Sequence, residues 1–348
     1  MIPTRGLSSA LLGLALAMSA ACTSTTARPA RQPLERAAPT ERLPWLSKLD
    51  VTHRLVGVIW DVAAQRAIRE SELTARVQSA PVLLIGEAHD NPDHHRIQAE
   101  LLSAFAVRHD TPVVVFEMLD RQRQAAVDAS LHVHPGDVDA LAQAVDWSSS
   151  GWPNWWMFRP VFEAAIRAHA TILAGGLDRA MAMQVAHEGP AAFDPSLDHE
   201  FGLSTPLPPD AQADVRHEMR EAHCGLLPET MLDSMGLVQR VRDALMAEGL
   251  REGADNHHGA VLVAGAGHVR RDRGVPALLA RAGLPSVAIG LLEVRADVTA
   301  PSGYAQAYNA QALPFDYVWF TPRANDTDHC AELRAQMNAH AAPQGGRR

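Results

Sequence analysis

The chain has 348 residues, of which 47% are hydrophobic, and a formal net charge of −9. That length and composition suit one large α/β domain or two small ones with an ordinary core. With one lysine, Lys48, and no basic stripe, the chain is not expected to bind nucleic acid. Seventeen histidines exceed average usage, which leaves a chance excess and metal or cofactor ligation equally open.

The N-terminus, "MIPTRGLSSALLGLALAMSAAC", sets Arg5 before an apolar run from Leu7 to Met18 and small residues up to Cys22. The run is too short to span a membrane and reads as a secretory signal. Cys22 after Ser19-Ala20-Ala21 suggests a lipobox in which the cysteine is acylated, although Leu is usual where Ser19 stands. Simple cleavage at an Ala-x-Ala-like site is the alternative. No aspartate follows Cys22, which in a Gram-negative cell favours the outer membrane, on its periplasmic side or at the surface. Residues 1–22 are therefore read as a lipoprotein signal and 23–44, rich in Thr, Ala, Pro and Arg, as a flexible tether. The domain is expected over 45–330 and a tail over 331–348. Only Cys224 and Cys330 remain for a disulfide in that oxidising compartment, and a free structural thiol at Cys224 is equally open.

From Trp45 onward, apolar runs alternate with amphipathic stretches. The continuous runs at 82–86, 113–117, 171–176, 260–265 and 286–292 read as strands buried on both faces. The mixed run "DYVWFT" (316–321) reads as an edge strand. Helices are expected at about 93–109, 119–130, 137–146, 155–168, 177–187, 211–223, 229–248 and 274–282. The fold class is α/β, a mostly parallel sheet with helices on both faces. A helical insertion, about 177–250, is expected over the carboxyl edge of the strands. That edge is where open α/β sheets bind ligands. It carries Glu87 and His89, then Glu117, then His268.

Asn91, Pro92 and Asp93 form a helix start: a cap, a proline at the first position and an acid favoured by the dipole. His94 and His95 lie about 100° apart on that helix, so one is expected to face the site and the other solvent. A carboxylate ending a buried run, as Glu117 does, needs a cation, a metal or a hydrogen-bonded partner. We expect a role at the site rather than a pairing with Arg121 or Arg159. The glycines of "AGAGH" (264–268) permit close backbone approach, but the Walker and dinucleotide patterns both fail. "RHEMREAHCG" (216–225) lacks the second histidine of the zincin motif, so His217 is read as an exposed residue. No G-x-S-x-G elbow occurs. Trp152, Trp155, Trp156, Met157 and Phe158 cluster in one stretch, usually a core anchor but also suited to a large flat apolar ligand. The methionines Met231 and Met235 open a helix whose Gln239, Arg242 and Asp243 make a polar stripe.

The stretches "LIGEAHDNPDHH", "VVFEM", "FRP", "HCGLLPETM", "QRVRDALM" (239–246), "VAGAGHVRRDRGVP" and "DYVWFTP" resemble, in order, those of the ChaN-like haem-binding lipoproteins. That family belongs to a wider group with the Tiki and TraB proteins and the erythromycin esterases. The resemblance implies a haem-binding envelope protein of iron or haem uptake or handling, with an outer-membrane haem receptor and a homodimer as its expected partners. Residues placed by it at the haem are His89, His95, Glu117, Trp156, Phe158, Arg159, His223, Met235, Gln239, Arg242 and His268. It further implies an axial bond from His89, His223 or His268, or from one of Tyr304, Tyr308 and Tyr317. The rival implication is a hydrolase, esterase-like or a metal-dependent peptidase, with Glu87, His89, Glu117 and His268 as its catalytic residues. There a divalent metal would activate water, or His89 would act as general base.

Overall fold

The strands form where β-branched and leucine side chains can be buried on both faces. The structure, a computed structural model, describes residues 44–256 and 258–341. The expected signal segment, Cys22 and the expected tether up to residue 43 lie outside the described residues. In chain order the elements are β1 (Ile59–Asp61), β2 (Arg66–Ile68), α1 (Glu70–Ser79), β3 (Val82–Glu87), α2 (Pro92–Ala106), β4 (Val113–Asp120), α3 (Gln124–Val133), α4 (Val138–Ala144), α5 (Trp155–Arg167) and β5 (Thr171–Gly176). There follow α6 (Arg179–Glu188), α7 (Pro195–Phe201), α8 (Pro209–Ala222), α9 (Leu232–Asp255), β6 (Ala260–Gly265), α10 (Val275–Arg281), β7 (Val287–Glu293), β8 (Tyr317–Thr321) and α11 (His329–Ala341).

The eight strands form one sheet in the order β2-β1-β8-β7-β3-β6-β4-β5. Six are parallel, and the β1–β2 hairpin adds antiparallel pairs outside β8. The expected α/β sheet is present. "DYVWFT" is not an edge, however: the hairpin from 59–68, which no long apolar run announces, covers it. Its mixed character comes from its end position, where Tyr317 opposes Asp61.

Alternate strand residues serve two layers. Leu83, Ile85, Val114, Phe116, Val261 and Val263 pack with Leu73, Ile97, Leu101, Phe105 and Phe162 from α1, α2 and α5. Val115 points the other way, towards Gly249 and Met246 of α9. Each such fully buried side chain contributes roughly 1.5–3 kcal/mol. The helical segment from 177 contains no strand, as expected, yet only its first part lies apart from the sheet. The second half of α9 is an ordinary crossover helix, packed on β4, β5 and β6.

Topology fixes the site. From β3 the chain crosses β6 to reach β4, and from β6 it crosses β3 to reach β7. The connections leave the adjacent pair β3–β6 in opposite directions, which opens a crevice at their carboxyl ends. The expected helix at 119–130 starts later, because β4 continues through Asp120 with an irregular register between Phe116 and Asp120. Gly176 permits that irregularity: a Cβ there would lie 2.4 Å from the Glu117 carbonyl oxygen.

Candidate functional site

The carboxyl ends of three strands, β3, β4 and β6, meet at the crevice. A capped turn follows β3. Asn91 accepts from the Asp93 and His94 N–H groups, Pro92 takes the first helical position, and Asp93 accepts from the N–H groups of Leu46 and Ser47. The Asn91 amide also donates to Glu293 and to the Pro322 carbonyl. The cap therefore locks α2 to the far side of the sheet.

That lock explains the two histidines. Both are fully buried, so the expectation of one solvated ring fails. His94 accepts the Ala88 N–H at Nδ1 (2.9 Å) and meets Thr321 Oγ1 at Nε2 (2.8 Å). Burial first, then the charge of His95, lowers its pKa from 6.5 to about 3, so it is neutral and structural. His95 turns towards the site. Its Nε2 donates to the His89 carbonyl (3.0 Å), and its Nδ1 lies 2.9 Å from Glu87 Oε2 and 3.0 Å from Gln98 Oε1. With acceptors at both nitrogens, and against an opposing burial penalty, its pKa is raised by Glu87. Phe158, fully buried, packs against this ring at a tilt of 40° with centroids 3.9 Å apart.

Glu87 thus sits between two imidazoles. Its Oε1 holds His89 Nδ1 at 2.9 Å. Burial opposes its ionisation, but the two histidines outweigh burial and bring its pKa from 4.5 to about 2. His89 has its own pKa raised by Glu87 and Glu117 against the penalty of burial. Its side chain is 34% exposed, while Glu87 and His95 have none. The His89 Nε2 carries no partner among the described residues. Trp152 meets the ring edge-on, with centroids 4.8 Å apart. Gly265 makes room, since a Cβ there would stand 2.9 Å from Nε2.

The irregular end of β4 and the turn after β6 bring Glu117 and His268 together with Asp243 of α9. Glu117 Oε2 accepts the Gly265 N–H (2.7 Å), and Oε1 lies 3.2 Å from His268 Nε2. His268 Nδ1 lies 2.6 Å from Asp243 Oδ1. Two buried carboxylates overcome the burial penalty and raise His268 from 6.5 to about 10. Glu117 is held well below the usual carboxylate range by His268 in spite of its burial. Burial pushes Asp243 from 3.8 up to about 6, with His268 pulling the other way. The Gln239 amide rests 3.0 and 3.2 Å from the two ring nitrogens. Asp243 as the partner of His268 is the residue sequence reading missed; its place one turn after Gln239 was the available signal.

The remaining expected residues scatter. Arg159 pairs with Asp139 and Glu163 on the outer side of α5. Arg121, the other suggested partner of Glu117, pairs with Glu248. Trp156 is 51% exposed on the first turn of α5. Met235 packs on a small cluster of Val215, Met219 and Leu232 between α8 and α9. Arg242 lies beside Asp120 at the end of β4, with its Nε buried and unpaired. His223 caps α8, its Nδ1 against the Met219 carbonyl (2.8 Å), and His217 is exposed. After it, Cys224 pairs with Cys330 in a disulfide across 106 residues, closing the question the sequence left open. Both nitrogens of His268 face carboxylates, so neither is free for iron. Tyr304 accepts the Arg295 N–H with its hydroxyl, and Tyr317 stands at the opposite end of its strand from the crevice. Among the described residues, no group of three or more His, Cys, Asp or Glu side chains is arranged to hold a metal ion.

No curated protein matches the chain. A solved structure described as cofacial heme binding to ChaN of Campylobacter jejuni aligns at a TM-score of 0.57 and 20% identity, over 75% of this chain and 95% of that one. The type III effector HopBA1 aligns at 0.38 and 13% identity, over 72% and 91%. An erythromycin esterase EreC mutant in its open conformation aligns at 0.41 and 12% identity, over 75% and 95%. The first shares the fold. A family described as haem-binding uptake, Tiki superfamily, ChaN matches residues 73–279, more than half of the chain. The chain belongs to that family.

Proposed function

We propose that the chain is a lipoprotein of the bacterial envelope that binds haem for iron or haem uptake or handling, with His89 Nε2 as the axial iron ligand. One observation carries the reading. Among the titratable groups of the crevice, His89 alone offers an unpartnered ring nitrogen at an opening. The donor suits haem iron: a carboxylate behind Nδ1 fixes the ring and raises the basicity of Nε2. Trp152, edge-on to the His89 ring, adds flat apolar surface. Family membership supports the same ligand, as does the cofacial haem of the Campylobacter protein, which also favours a homodimer. Anchoring at Cys22 in the outer membrane and delivery by a haem receptor complete the proposal; they rest on the sequence alone. Hemin titrated into the full chain is expected to give a saturable, shifted Soret band. Featureless, non-saturating absorption overturns the reading.

A second reading draws on the same dyad. Glu87 behind His89 is also the arrangement of a general base, and hydrolysis would use Nε2 to take a proton from water. A panel of ester and peptide substrates tests it. Turnover abolished by His89→Ala supports hydrolysis; turnover unchanged by that substitution refutes it.

A further inference from the structure

A second cavity lies behind the His268 cluster, between α8, α9 and α10, with a volume of about 220 Å³. Its inner wall includes Gln239 and Asp243, the partners of His268, and does not include His89. That volume falls below the usual range of pockets for larger ligands and limits the occupant to a small molecule.

The acids lining it are already matched. Asp243 faces His268 (2.6 Å), Glu218 faces Arg273 (2.6 Å), Asp272 is gripped by Arg270 (2.6 and 3.0 Å), and Asp214 accepts from the Asn309 amide (2.7 Å). Two cations are not. Arg240 donates to the Gly202 and Thr205 carbonyls and meets no carboxylate within ion-pair reach. Asp198 and Asp243 act on it only from beyond ion-pair reach, and Asp198 accepts the Ser204 N–H at Oδ1 (2.6 Å). Arg281 has neither a hydrogen bond nor an ion pair among the described residues. Both arginines line the cavity; burial first and Arg281 second lower the Arg240 pKa, against the pull of Asp198 and Asp243. Beside them the wall is apolar, with Leu203, Leu207 and Leu278.

A half-buried guanidinium and an exposed one that open on the same cavity can both give charge-assisted hydrogen bonds to one anion. We infer that this cavity binds a small organic acid, its oxyanion head between Arg240 and Arg281 and its apolar body against the leucines. A carboxylate or a phosphate monoester has the required head. The site is separate from His89 and does not depend on haem binding.

Calorimetric titration of the hemin-free full chain tests it, with benzoate, phenyl phosphate, inorganic phosphate and benzyl alcohol as probes. Saturable binding of benzoate or phenyl phosphate is expected, the better of the two identifying the head, with no binding of benzyl alcohol. Arg281→Gln, at an exposed position, should weaken the better acid by about tenfold and leave the hemin titration unchanged. Arg281→Lys should restore part of the affinity. The inference is overturned if neither organic acid binds, if Arg281→Gln binds as tightly as the parent, or if inorganic phosphate binds as well as phenyl phosphate. Displacement of the acid by one equivalent of hemin also overturns it, since the cavity would then belong to the haem site.

Discussion

Replacing His94 by alanine tests whether this ring is a structural clamp rather than a ligand. The substitution leaves the Ala88 N–H and the Thr321 hydroxyl without their partners at 2.9 and 2.8 Å, in a place with no access to water. Each stranded group costs about 1–3 kcal/mol, so a loss of about 2–6 kcal/mol is expected at neutral pH. The pH dependence adds a second reading of the same clamp. The folded-state pKa is depressed from 6.5 to about 3, so the stability from His94 is complete above pH 6.5 and is lost as pH falls towards 3. That window corresponds to a differential on the order of 5 kcal/mol. Urea denaturation of the parent and the variant, followed at several pH values between 7 and 4, gives both quantities. The parent should lose stability more steeply than the variant over this range. A variant within about 0.5 kcal/mol of the parent, or parallel pH profiles, would refute the clamp.

Further outcomes follow from the same geometry. Gly265→Ala puts a methyl group 2.9 Å from His89 Nε2, and hemin affinity should fall at least about tenfold while the fold persists by circular dichroism. Glu117→Gln breaks a buried pair with His268 and should cost about 3–5 kcal/mol in chemical denaturation. The raised pKa of His268 gives stability that is present below pH 6.5 and is lost as pH rises towards 10, a loss that a thermal melt series from pH 7 to 10 should record. Removing the Cys224–Cys330 disulfide by a double serine substitution should lower stability by about 4–5 kcal/mol, the value for a closed loop of this length. Thiol titration of the unfolded, unreduced parent should find neither cysteine free.

The sheet was legible because buried parallel strands read as unbroken apolar runs, and five such runs stand at the strand positions observed. The β1–β2 hairpin was not, because Ile59–Asp61 and Arg66–Ile68 are too short and too polar to stand out. At the site, Glu87, His89, Glu117 and His268 could be placed at one edge from the strand ends alone. The histidine pair could not be resolved, because helical spacing separates His94 from His95 by direction but says nothing of what covers each side. Here β8 and the Pro322 turn cover one side and Phe158 the other. Asp243 was legible as part of a polar stripe but not as the partner of His268, because that role depends on how α9 packs on β6. Arg159 and Met235 were placed at the haem by the resemblance alone, and in the structure each is turned to partners of its own.

The most direct test of the account is the Soret spectrum of the hemin-loaded full chain with His89→Ala, set against the parent and against His223→Ala. An axial bond from His89 Nε2 predicts that His89→Ala loses the saturable shifted band while His223→Ala keeps it. A band unchanged in His89→Ala would contradict the assignment.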